Sequence, residues 1–424
     1  MKKLEKKPTN LLKQNFKKEW VLKISYLLLG PISAFAKMGT VPIIIFALFG
    51  YESFTSAAKK LRLFAKSVFG KVIIIFLIWT ATSMLWSAEP LIYNFLRVAV
   101  IIIVSILFFL LMNSLNPRIK VKVIGTICIS FLFLLCILLI EGWTDASIHR
   151  FLRPLDSIPR EGEWVPYISL IAARGTAILA PFTFLLALFI QKKTNQRKLS
   201  CTFVLLSFLA TLQMPMAASS LAIFLGCLTY AFVFYKPKVI LPAISMALIL
   251  VALTIPFLTP IIVKEIRGSV YEKLISRNVM QRLEIWNFTS EKINGSPFVG
   301  HGFGAARSIS ATSINIANTN WKAMPLHPHN SFLQVWLELG LLGVLILCYY
   351  LHLLFKNIKE KVVSKSIQAC LASTLISTLI LSLISFGIWQ YWWIATWGLL
   401  LGTSGLLLNK NINKNSGTNN KGIL

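Results

Sequence analysis

The sequence predicts an all-α, polytopic membrane protein of about twelve transmembrane helices, and three observations carry that expectation. Of its 424 residues, 56% are hydrophobic and only 14% charged, against about 25% charged for a soluble domain. The apolar residues fall in runs of about 17–25, the length at which a helix crosses roughly 30 Å of hydrocarbon. Lys and Arg number 43 against 15 Asp and Glu, for a net charge of +28. A basic balance of this size would suggest nucleic acid if the charge shared one folded face. It lies instead in short clumps between the apolar runs, so no nucleic-acid partner is expected, and membrane lipids are.

In chain order the runs lie near 21–36, 39–55, 71–87, 91–113, 123–141, 167–190, 199–213, 218–235, 239–263, 331–355, 366–386 and 391–408. They divide the chain into a basic N-terminal segment (1–20), nine spans (21–263), a long loop (264–330), three spans (331–408) and a tail (409–424). Of the basic residues, 29 lie in the alternate segments 1–23, 57–71, 117–122, 192–198, 236–238, 356–365 and beyond 408, and 12 in the opposite set. Short Lys/Arg-rich segments are retained in the cytoplasm. Both termini are therefore expected there, with the loops 142–166 and 264–330 exported. Ala34, Phe35 and Ala36 are similar to a signal peptidase site, but the first span reads as an uncleaved anchor.

The long loop, between the ninth and tenth spans, is expected to be partly helical. Asn278 with Gln281 suggests a capping box, Val279, Leu283 and Trp286 follow at helical spacing, and Gly295 with Pro297 ends the run, predicting a helix over 279–293. Arg282 and Trp286 share one face of it. Arg282 is read either as a cation–π or surface charge or as a phosphate clamp, since guanidinium offers a planar fork to oxygens. A glycine-rich turn, Gly300-His301-Gly302-Phe303-Gly304, comes next. His327, Pro328, His329 and Asn330 then precede Ser331, which with Gln334 reads as a second capping box opening the tenth span. A histidine at a helix start is biased toward its neutral form, and the start attracts anions. His329 is read as a general base or, more plainly, an interfacial cap. Arg97, Arg174 and Glu338 fall inside predicted spans, where charge must be paired or face water. A salt bridge from Glu338 to Arg97 or Arg174 is the simple expectation, and substrate contact its rival.

No GxxxxGK[ST] loop, HExxH or CxxC occurs, so no cofactor and no metal site are expected. Asp145 and Asp156 are the only aspartates, and positive charge at any site is expected from arginine.

Three patterns resemble the superfamily of O-antigen ligases and O-antigen polymerases of bacterial inner membranes. They are Arg282-Leu283-Glu284-Ile285-Trp286 followed by Pro297, Gly300, Gly302, Phe303 and Gly304; His327 to Asn330 with Ser331, Phe332 and Leu333; and Glu338-Leu339-Gly340-Leu341-Leu342-Gly343. Together they cover about 282–343. The resemblance implies a periplasm-facing glycosyltransferase, with His329 and Arg282 catalytic and His327 beside the substrate. It implies an undecaprenyl-pyrophosphate-linked glycan as donor and lipid A core as acceptor, joined by metal-independent inversion. The chain departs from the family at the eighth span, where a Ser-Arg-Gly-like pattern is replaced by Ala218-Ser219-Ser220-Leu221. Arg174, Arg160 or Arg153 is expected to supply the missing cation. A polymerase of lipid-linked repeat units is the near alternative and a solute transporter the distant one, disfavoured by the absence of an internal repeat.

Overall fold

A computed structural model describes residues 6–89, 91–152, 154, 167–313, 315–316 and 322–408. Among them the regular structure is helical, apart from an isolated bridge between Asn315 and Lys322. The chain begins with α1 (Lys6–Phe35), α2 (Thr40–Ala47), α3 (Phe54–Lys66), α4 (Val68–Ser83), α5 (Ile92–Asn113) and α6 (Pro117–Trp143). Two short helices, α7 (Ser147–Leu152) and α8 (Tyr167–Ala172), precede α9 (Arg174–Thr194), α10 (Arg197–Leu212), α11 (Ala217–Tyr235) and α12 (Pro237–Ile266). Between α12 and α16 (Ser331–Lys361) lie α13 (Val270–Leu274), α14 (Arg277–Asn294) and α15 (Ala305–Thr312), and the described helices end with α17 (Lys365–Ile384) and α18 (Tyr391–Ser404).

Local signals set several boundaries. Asn116 Oδ1 accepts from Ile119 N at 2.9 Å ahead of Pro117, a side-chain cap with proline at the first helical position. Asn195, at φ 57°, ends α9 in the left-handed conformation.

Eight of the described helices are long and apolar enough to cross a membrane, and a ninth span arises if the bent pair Lys37–Gly50 and Phe54–Lys66 counts as one. The chain is a multi-pass membrane protein. The twelve expected runs meet different fates. The run 21–36 forms the second half of α1, while 199–213 and 391–408 form α10 and α18, of 16 and 14 residues. The run 39–55 does not form a single helix. α2 stops after eight residues, a 3-10 turn carries the chain through Gly50, and Ser53 Oγ then caps α3 by accepting from Ser56 N at 3.1 Å. The two pieces diverge by 108°. With Lys59, Lys60 and Arg62 on a helix that buries Ala57 and Phe64, α3 has the pattern of an interfacial helix.

α9 is the axis of one half of the bundle. Every residue from Gly175 to Ile190 is buried, as expected of a helix apolar on all sides, and α1, α6, α10, α11 and α17 pack around it. Small residues permit close approach: Gly226 lies where an added Cβ would meet the Phe184 ring at 2.4 Å, and Gly30 N donates to Ser130 Oγ at 2.8 Å. The other half centres on α16, which packs against α4, α12, α14 and α17.

α16 is broken at Gly340, whose φ of 63° and ψ of −166° are not helical. The break frees backbone groups that the glycine-rich loop takes up. His301 N and Gly302 N donate to Leu337 O and Glu338 O at 2.8 and 2.9 Å, while Leu341 N donates to Pro297 O at 2.9 Å. Trp79 Nε1 covers Leu339 O at 2.9 Å, and Trp86 Nε1 donates to Gly300 O at 3.1 Å. Non-helical backbone at this depth persists because protein groups satisfy it.

The break makes a prediction. Gly340 and Gly268 both have positive φ, but a Cβ at Gly340 would lie 2.4 Å from Phe298 O, whereas nothing lies within 4 Å at Gly268. Gly268→Ala is expected to cost only the left-handed strain, about 1–2 kcal/mol. Gly340→Ala adds a backbone collision and should lower the unfolding temperature of the detergent-solubilised protein much further. Equal shifts for the two variants would contradict the packing described.

Candidate active site

The broken α16 carries the site at its N-terminus. The expected cap was Ser331 with Gln334. The structure corrects this: Asn330 is the cap, its Oδ1 accepting from Leu333 N at 3.0 Å, while Ser331 Oγ donates to Ser382 O of α17 at 2.9 Å. Gln334 Nε2 donates instead to Glu338 at 3.0 Å, and its Oε1 accepts from Ile388 N at the same distance. The helix expected over 279–293 is α14, begun at Arg277 after Ser276 rather than capped by Asn278.

His329 stands immediately before the cap with φ 55°, a left-handed conformation. Its Nδ1 lies 2.8 Å from Ser385 O. A carbonyl can only accept, so Nδ1 carries the proton of the neutral ring and the lone pair is on Nε2. Burial pushes the His329 pKa below its ordinary value; the Ser385 hydrogen bond opposes this, and the Arg282 charge adds to it. The ring is thus held neutral and able to accept a proton.

α14 is joined to this loop by Trp286, whose Nε1 donates to Pro328 O at 2.9 Å. One turn earlier on the same helix, half-buried Arg282 is desolvated enough to lower its own pKa, though guanidinium remains charged. The acidic neighbour Glu284 is already occupied, forked by Arg267 through Nε at 2.9 Å and through Nη2. Arg282 forms no ion pair among the described residues.

His327 completes the loop, its ring centroid 4.4 Å from that of His329. Its Nδ1 accepts from His329 N at 3.2 Å, and its Nε2 lies 2.9 Å from the Gln390 side-chain amide. Burial, followed by the charges of His329, Lys37 and Arg307, lowers its pKa to about 3, so it is neutral at physiological pH. His327 lines a cavity of about 320 Å3 together with Lys37, Arg307, Gln334, Glu338 and Gln390. Neither His329, whose ring adjoins that of His327, nor Arg282 is in its wall.

Glu338 was expected to pair with Arg97 or Arg174, and it does neither. Its Oε2 accepts from Gly304 N at 2.7 Å and from Trp389 Nε1 at 2.9 Å, and its Oε1 accepts from Gln334. Three neutral donors satisfy the buried carboxyl and fix the glycine-rich loop to α16. Arg97 is exposed on α5. Arg174 begins α9 two residues before Thr176, whose Oγ1 is hydrogen-bonded to Ser219 Oγ at 2.8 Å. The structure thus sets Arg174 beside the Ala218–Ser220 turn that lacks the expected cation, and close enough to Lys37 for their charges to interact. Arg153 and Arg160 lie outside the described residues.

Two cations escaped the sequence reading. Neither Lys37, which falls between the runs 21–36 and 39–55, nor Arg307 stood out there. The available signal was a lysine and an arginine on segments expected to be exported, against the charge bias that orients the chain.

The O-antigen ligase family matches residues 203–348, which contain Arg282, His327, His329 and Glu338 but not Lys37 or Arg174. Three relatives from Rickettsia bear names that propose a polysaccharide ligase. The protein of Rickettsia felis is 29% identical over 238 residues, 54% of this chain and 56% of its own length. That of Rickettsia conorii is 28% identical over the same shares, and that of Rickettsia bellii is 31% identical over 46% of this chain and 50% of its own. The chain spans about half the length of the curated relatives it matches. On these matches, joined to the Arg282–Trp286, His327–Asn330 and Gly340 architecture, the chain is similar over residues 203–348 to the O-antigen ligase family.

Proposed function

We propose that the chain is a glycosyltransferase that moves a glycan from an undecaprenyl-pyrophosphate-linked donor to a sugar hydroxyl of lipid A core, with inversion and without a metal. The observation that carries this reading is the state of His329. Its Nδ1 is committed to Ser385 O, its lone pair is on Nε2, and an ion-pair-free guanidinium acts on it. That is the arrangement a general base needs beside an anionic leaving group. The family match and the polysaccharide-ligase names of the Rickettsia relatives point to the same class of reaction.

In the proposed reaction the acceptor hydroxyl oxygen attacks the anomeric carbon from the face opposite the diphosphate. The hydroxyl proton passes to His329 Nε2. The bond from carbon to diphosphate oxygen breaks, and its electron pair leaves on the diphosphate, whose charge Arg282 and Arg174 stabilise. His327, held neutral, orients the loop through its bond from His329 N. Arg153 and Arg160 are further candidates for phosphate contact. The site would face the periplasm, because the opposite ends of the helices carry most of the lysines and arginines, and this reading keeps both termini in the cytoplasm of a bacterial inner-membrane protein.

His329→Ala is expected to reduce transfer by about 10²–10⁴-fold without reducing membrane abundance, measured with a lipid-diphosphate glycan and core acceptor in proteoliposomes. Full turnover would remove His329 as the base, and loss of wild-type turnover with EDTA would remove the metal-independent mechanism.

A second prediction concerns pH. The His329 pKa is depressed, so the acidic limb of kcat/KM should lie below the ordinary histidine value of 6.5. Arg282 contributes to that depression, and Arg282→Gln should move the limb to higher pH as well as slow the reaction. A pH profile unmoved by Arg282→Gln would separate the two residues.

A further inference from the structure

The cavity beside the histidines contains more than the transfer step uses. Lys37 and Arg307 reach its wall from distant parts of the chain, one from the turn after α1 and one from the first turn of α15. Neither forms an ion pair with a carboxylate among the described residues. The carboxyl they share the cavity with, Glu338, is already saturated by Gly304 N, Trp389 Nε1 and Gln334 Nε2. The Lys37 ammonium is held in place, 4.9 Å from the centroid of the Trp392 ring. Its charge and that of Arg307 both bear on the His327 ring. Two cations lining one half-open cavity call for an anion.

The rest of the lining narrows what kind. Asn94, Gln334 and Gln390 line it with amides, those of Gln334 and Gln390 already bonded to Glu338, Ile388, His327 and Trp392, and Trp389, Tyr391 and Trp392 offer aromatic surface. Tyr391 Oη donates to Asn94 Oδ1 at 2.6 Å, which leaves the Asn94 amide N–H groups to serve as donors. An amide for a hydroxyl, rings for the apolar face of a pyranose and paired cations for one charged substituent form a set suited to an acidic sugar. A bare diphosphate would have no use for the rings. The volume, about 320 Å3, lies at the small end of the range for ligand cavities and suits one or two sugar units rather than a polymer.

We propose that this cavity is the acceptor subsite, and that Lys37 and Arg307 make it specific for a sugar bearing a phosphate or a carboxylate. That the occupant is the acceptor rests on the transfer reading above; that it is an acidic sugar does not. Arg282 and Arg174 are left to the donor's diphosphate, and His329, adjoining the cavity through His327, lies between the two groups it must serve.

The test is direct binding, with no donor and no turnover. Glucose 6-phosphate and glucose are titrated into the full-length protein in nanodiscs and followed by saturation-transfer NMR. Glucose 6-phosphate should bind the wild type, and at least tenfold more weakly the Lys37→Met/Arg307→Gln double variant. Glucose should bind more weakly and equally to both. Lys37→Arg should retain the preference for the phosphate, and so should Arg282→Gln; unfolding temperatures establish that each variant is folded. Equal binding of the sugar phosphate to wild type and to the folded double variant would overturn the site. So would a loss of the preference in Lys37→Arg, should the double variant fail to fold. Displacement of glucose 6-phosphate by undecaprenyl diphosphate would give the cavity to the donor and overturn its role as acceptor subsite. The expected pattern in a protein that transfers no glycan would support the acidic-sugar cavity while ending the transfer reading.

Discussion

The exchange of backbone hydrogen bonds at Gly340 is the constraint on which the site depends. A continuous helix would use the carbonyls of Leu337 and Glu338 for its own amides four residues on. Because Gly340 leaves the helical conformation, those carbonyls accept from His301 N and Gly302 N, and Leu341 N turns to Pro297 O. The loop that enters is built for it. Gly300 and Gly302 have φ of 70° and 89°, and a Cβ on either would lie 2.5 Å from backbone atoms, of Glu338 for the first and Ser83 for the second. The same junction sets Glu338 against Gly304 N and Trp389, which fixes one wall of the cavity. The helix break, the loop and the cavity are therefore one unit.

The electrostatics follow from that unit. The cations near the site belong to separate elements: Lys37 follows α1, Arg174 starts α9, Arg282 is on α14 and Arg307 on α15. Lys37, Arg282 and Arg307 form no ion pair with a carboxylate among the described residues, and Glu284 is committed to Arg267 and Glu338 to neutral donors. The accumulated positive field, together with burial, holds both histidines neutral. A site that must bind anions and accept a proton needs this combination, since a protonated imidazole would bind anions but could no longer act as a base.

Much of this was legible in the sequence, for identifiable reasons. The strong apolar runs became helices near their expected limits because length and hydropathy decide such elements almost alone. Arg282 and His329 stood out through the resemblance of the segment around them, not through spacing. What was misread depended on partners far away in the chain. The run 39–55 is apolar enough to span, yet Gly50 and the Ser53 cap redirect it, and its short α2 is covered by α1, α5 and α18. Glu338 invited an arginine partner because a buried charge should be paired, but indole, amide and backbone donors met the requirement from 51, 4 and 34 residues away. Lys37 comes near His327 where Thr40 Oγ1 donates to Trp392 O at 3.1 Å, which holds the start of α18 beside the turn after α1.

The substitution at Ala218–Ser220 can be considered on the same terms. A guanidinium stabilises phosphate through its distance and orientation, and the helix that supplies it makes no difference to the field it produces. The start of α11 has no cation, but Thr176 and Ser219 hold it against the start of α9. Arg174, first residue of α9, therefore occupies the same neighbourhood from a different helix, and Lys37 lies within range of its charge. In the proposed reaction this relocation would keep positive charge near the diphosphate while freeing the opening of α11 for small side chains. Ser219 is fully buried and Ala218 and Ser220 nearly so, in space an arginine side chain could not share. In the proposed reading, close packing takes that turn and α9 carries the charge.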